Sequence, residues 1–102
     1  MLILIPVDNS KDEKHSKIVS LLSSPTWALI DFDEGVVKSV KFVDDWHDSG
    51  EDWIDFVVLS NKFENYMEFM EMGMMVLVVR DEESIEDIIE AFKFKELDEI
   101  GL

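Results

Sequence analysis

Apolar residues along the chain fall into short runs whose spacing switches between the two periodicities of regular backbone. Between Asp55 and Arg80 the pattern reads strand, helix, strand. Asp55–Ser60 is nearly continuous in apolar residues, as expected of a strand covered on both faces. Asn61 stands where it would cap a helix, and Glu64, three residues on, is placed as a capping-box acid. Phe63, Tyr66, Met67 and Met70 then fall at i, i+3, i+4 and i+7, which gives that helix one apolar face. Gly73 supplies the positive φ that commonly ends a helix, and Met74–Val79 is a second apolar run. The stretch predicts a right-handed βαβ unit that needs a wider sheet to pack against.

The rest of the chain supplies that sheet. Leu2–Val7 has the composition of a buried central strand, and the polar run from Asp8 to Lys17 follows it as a loop. Lys17–Leu22 predicts one or two helical turns with Ile18, Leu21 and Leu22 inward, broken by Ser23, Ser24 and Pro25. Thr26–Phe32 and Val36–Val43 are strands joined by Asp33-Glu34-Gly35, a hairpin connection. Lys38 and Lys41 interrupt the second of them, a device that keeps an edge strand from pairing with other chains. Asp44–Ile54 must cross to the βαβ unit in close to the minimum of about a dozen residues, helped by a helical turn around Glu51–Ile54. Ser84 caps a last amphipathic helix with Ile85, Ile88, Ile89 and Phe92 inward, and Lys93–Leu102 extends it or adds a turn through Leu97 and Ile100. These elements predict a single α/β domain over residues 1–102, with a five-stranded mixed β-sheet flanked by helices.

Composition narrows the partners. A hydrophobic content of 47% excludes a disordered chain, while 24 acids against 9 bases give a formal net charge of -15. So dense a negative field repels phosphate backbones and anionic lipid, which argues against nucleic acid and membrane as partners. Basic proteins and cations remain as partners, and the charge also serves simple solubility. The chain has no cysteine, hence no disulfide, thiolate ligand or cysteine nucleophile. Met1–Val7 lacks the basic flank and length of a signal peptide, and no run approaches the ~20 residues that span a bilayer. A cytoplasmic monomer or homodimer is the expectation.

The element order and several phrases together resemble the dinitrogenase iron–molybdenum cofactor biosynthesis family, small domains with a ribonuclease H-like fold. The resemblance is carried by LILIPVD at Leu2–Asp8, SPTWALIDFDEGVVKSVKFV at Ser24–Val43 and DFVVLSN at Asp55–Asn61. MGMMVLVV at Met72–Val79 and SIEDIIEAFKFKELDEI at Ser84–Ile100 complete it. It implies a non-enzymatic domain that binds or carries iron–molybdenum or iron–sulfur cluster precursors. Two family features are missing. Members carry a His-Phe-Gly-Arg phrase where this chain has Ser20, Leu21, Leu22 and Ser23, and a glycine-rich turn with a full helix where it has only WHDSGEDWI. The ligand site implied by the resemblance is therefore degenerate, and the rival reading is an acidic protein–protein interaction module that retains only the scaffold.

Within this frame the candidate metal ligands are His47, His15 and Asp48. His47, with Asp45 and Asp48 beside it, occupies the place of the family's glycine-rich loop, and His15 lies in the loop after the first strand. Both loops are expected at the carboxyl edge of the parallel strands, where ligands usually bind. A solvated loop histidine is the plainer reading of His47. A nuclease would instead need Asp8, Asp31 and Asp33 to converge on magnesium. Met67, Met70, Met72, Met74 and Met75 suit a core better than a copper site, and Trp46 and Trp53 serve either as cover for a thinly clad sheet face or as a contact surface. No phosphate-binding loop or nucleophile–base order is present.

Overall fold

The structure, a computed structural model, describes residues 1–100. Strands β1 (Leu2–Val7), β2 (Thr26–Asp33), β3 (Val36–Val43), β4 (Phe56–Leu59), β5 (Met75–Val78) and β6 (Asp98–Ile100) form one sheet in the order β3-β2-β1-β4-β5-β6. β1, β4 and β5 run parallel, while β2, β3 and β6 pair antiparallel to their neighbours. The first five strands thus have the ribonuclease H-like order. The sixth is a correction to the five-stranded expectation: Asp98–Ile100 neither extends the last helix nor forms a turn but pairs with Val76–Val78, while residues 101 and 102 of the expected tail lie outside the described residues.

Alternation along β1 divides the interior in two. Ile3, Ile5 and Val7 face a layer formed with Ala28, Ile30, Val58 and helix α2 (Ile85–Lys93). Leu4 faces the other, with Trp27, Leu29, Val57, Trp46 and Phe69 of helix α1 (Met67–Glu71). Each fully buried aliphatic side chain contributes about 1.5–3 kcal/mol, so β1, with four of them at 0% exposure, is the strand on which both layers depend. α2 starts as its sequence requires: Ser84 Oγ accepts from Asp87 N at 3.1 Å, and Ile85, Ile88, Ile89 and Ala91 are buried.

The hairpin is tighter than its three-residue signal. β2 runs through Asp33, leaving Glu34 and Gly35 at φ 52° and 80°, the pair of positive values of a type I′ turn. β3 is an edge strand, and the register jumps from Asp31 opposite Ser39 to Phe32 opposite Val37, so Lys38 occupies a bulge. A bulged lysine and Lys41 together blunt that edge.

Three local expectations give way to longer-range contacts. Lys17–Leu22 is not a helix: Ile18 bridges to Val7 and Lys17 to Ser84, a 3₁₀ turn forms only at Leu21–Ser23, and Leu22 is 95% exposed. The helix after β4 is confined to Met67–Glu71, because Asn61 caps a turn at Phe63 N (2.9 Å) and leaves Phe63 86% exposed. In the crossover the single turn lies at Trp46–Asp48 rather than at Glu51–Ile54. Among the described residues no helix is long and apolar enough to cross a membrane.

Candidate functional site

The carboxyl ends of β1 and β4 and the start of the crossover make the rim on which the candidate ligands were expected. At the end of β1 the loop closes on itself. Asp8 Oδ1 accepts from Ser10 N (3.1 Å) and Ser10 Oγ (2.6 Å), and Asp12 Oδ1 accepts from Lys14 N (2.9 Å) and His15 N (2.8 Å). Buried Ser16 accepts from Asp12 N at 2.8 Å. Donors to the charged form hold both carboxyls below the usual aspartate range, Asp8 chiefly through Ser10 Oγ and Asp12 chiefly through His15 N–H. His15 lies 3.3 Å from Asp12 and 3.9 Å from Glu86 on α2.

His47 belongs to a different set of neighbours. Its ring stacks on Trp46 (centroids 3.9 Å apart, 27° between planes), and Trp46 is buried against Phe69. When protonated it donates from Nδ1 to Asp45 Oδ1 at 2.6 Å and from Nε2 to Glu68 Oε2 at 3.3 Å. The hydrogen bond to Asp45 raises the imidazole pKa most, opposed by burial and supported by Glu68, and it lowers that of Asp45 in turn. The crossover is thereby tied to α1.

The structure places His15 beside α2 and His47 beside α1, on opposite faces of the sheet, so the two do not share a site. Asp45 and Glu68, rather than Asp48, contact the His47 ring, and they approach opposite nitrogens. A cation held by one nitrogen could use only one of these carboxylates in this arrangement. Among the described residues no three histidine, aspartate or glutamate side chains converge as a metal site. Glu68 had no local signal, since it lies 21 residues from His47.

The nuclease triad is separated by the register. Asp31 pairs with Leu2 at the start of β1, whereas Asp8 follows its end, about 20 Å away at ~3.3 Å per residue. The tryptophans divide between their two readings: Trp46 covers the sheet, and Trp53 is 59% exposed. The methionines divide as well, with Met74 buried and Met67, Met72 and Met75 exposed. Glu64, expected as a capping-box acid, serves elsewhere: its carboxylate accepts from Ser20 Oγ (2.8 Å), Leu21 N (3.0 Å) and Ser60 Oγ (2.9 Å).

The chain superposes on a candidate dinitrogenase, MJ0327 of Methanocaldococcus jannaschii, with a TM-score of 0.77 and 20% identity, covering 99% of this chain and 95% of that one. The crystal structure of PH0822 matches with a TM-score of 0.72 and 18% identity over 98% and 96%. The likeness is one of fold. No protein-family profile matches the chain, and no curated protein matches it in sequence.

Proposed function

We propose that this protein is a non-enzymatic binding domain built on the scaffold of the dinitrogenase cofactor biosynthesis proteins, with a degenerate cluster-precursor site. The observation that carries this reading is the whole-length likeness in fold to MJ0327, alongside histidines whose ring nitrogens already face carboxylates. With no cysteine and no convergent donor set among the described residues, the chain fits an iron–sulfur or iron–molybdenum precursor poorly, because such clusters are held mainly by thiolates. A second reading, an acidic interaction module, draws on the exposed Phe63, Met67, Met72 and Trp53.

Native mass spectrometry of protein expressed with iron and molybdate and purified without oxygen separates the two. The degenerate-site reading expects no retained cluster mass and at most weakly held metal, lost in a His15→Ala/His47→Ala double variant. A stable iron-, sulfide- or molybdenum-containing adduct would overturn the degeneracy and make the protein a carrier. A protein partner recovered in complex, and released by Trp53→Ala, would favour the interaction module.

A further inference from the structure

A cavity of about 540 Å³ opens at the amino edge of the sheet, the end opposite the rim described above. Its walls are apolar: Phe32, Phe56 and Phe92 meet edge to face, with centroids 5.4 Å and 5.0 Å apart, and Leu77 and Leu97 are buried behind them. Lys93 and Lys95 stand at its margin with Glu99 as the one acid. Among the described residues neither lysine forms an ion pair. In a chain of 24 acids and 9 bases, two unpaired cations beside an apolar hollow reverse the local sign of charge.

The end of α2 fixes one of these cations in place. Glu96 N donates to Ala91 O (2.9 Å) and Lys95 N to Phe92 O (3.2 Å), the paired bonds of a Schellman motif, with Lys95 at φ 58°. Glycine is the usual residue at that left-handed position. Here it is a lysine beside the cavity.

We propose that this cavity binds a small organic monoanion, with an aromatic or short aliphatic body among the three phenylalanines and a carboxylate or sulfonate between Lys93 and Lys95. The volume suits such a ligand, and apolar walls with a few polar groups at the mouth are the usual construction of small-molecule sites. The surrounding negative field discourages anions elsewhere on the surface. The site is independent of the cluster reading, since it lies at the other edge of the sheet.

The test is a fluorescence titration with 8-anilinonaphthalene-1-sulfonate, beside the uncharged N-phenyl-1-naphthylamine, with decanoate as competitor. One sulfonate dye per chain is expected, displaced by decanoate. Lys95→Gly suits the backbone better than lysine, so the variant keeps its melting temperature while its affinity for the dye falls about tenfold, the loss of one charge-assisted contact. Met75 also lines the cavity, and Met75→Trp, which fills the mouth, is expected to abolish binding. The proposal is overturned if the sulfonate does not bind, if Lys95→Gly binds it as tightly as the parent, or if the uncharged dye binds equally well with no response to either lysine.

Discussion

A Cβ built on Gly73 would stand 2.9 Å from Trp53 Cη2, and the residue sits at φ 86°. Trp53 is therefore exposed yet seated, its ring lying on the one backbone position in the α1–β5 turn that has no side chain. Gly73→Ala is expected to destabilise by about 1–2 kcal/mol from the left-handed backbone and the displaced ring. Urea unfolding checks this, and adding Trp53→Ala should recover only the steric share. At His47 the prediction concerns pH. Its folded pKa is raised above the unfolded value of about 6.5, so the stability it contributes is complete below that value and is lost as pH rises through the folded one. Because the side chain is 51% exposed, the effect on stability is small, and the pKa itself is the better readout. Glu68→Gln should lower the pKa of His47 in an NMR titration, and Asp45→Asn should lower it further, since Asp45 is the larger cause. An unchanged value in both would remove the His47 bridge between crossover and α1.

At the level of elements, Glu64 joins the segment before β2 to the loop between β4 and α1. It accepts from Ser20 and Leu21 before β2 and from Ser60 after β4. Glu64→Ala leaves these partly buried donors without their acceptor and should cost about 1.5–3 kcal/mol, measured as a lowered urea midpoint with an unchanged slope. The same residue shows why reading the sequence succeeded in places and failed in others. Strands β1 to β5, the hairpin and α2 were legible because their signals are local: apolar runs, an Asp-Glu-Gly connection, and Ser84 ahead of Ile85, Ile88 and Ile89. β6 was not, because Asp98-Glu99-Ile100 has no apolar run and becomes a strand only by pairing with β5. Asn61 and Glu64 had the spacing of a capping box, but Glu64 is drawn off to Ser20 and Leu21, more than forty residues away, and the helix starts only at Met67. Ile18 joins Val7 instead of turning inward on a helix. The candidate site was legible to the same extent. The carboxylates that meet His15 and His47 include Glu86 and Glu68, which no spacing in the chain connects to them.

Across the whole molecule the two faces of the sheet are closed by unequal means. One is covered by α2, a capped helix with four buried residues. Among the described residues the other is covered by short pieces, the 3₁₀ turns at Leu21–Ser23 and Trp46–Asp48, the segment before β4 and the five-residue α1, the last three held together through His47, Trp46 and Phe69. Short elements with few backbone hydrogen bonds open at lower free energy than the sheet they cover. Amide hydrogen exchange followed residue by residue should therefore show Trp46–Asp48 and Met67–Glu71 exchanging through local openings, at rates indifferent to low denaturant. The amides of β1 and β4 should exchange only when the whole molecule unfolds. Equal protection of both faces would contradict this. The consequence is an order of events: water reaches Leu4, Val57 and Trp27 from the α1 side while the strands remain paired, so a protease or chaperone would meet a folded sheet with one bare face before it ever met an unfolded chain.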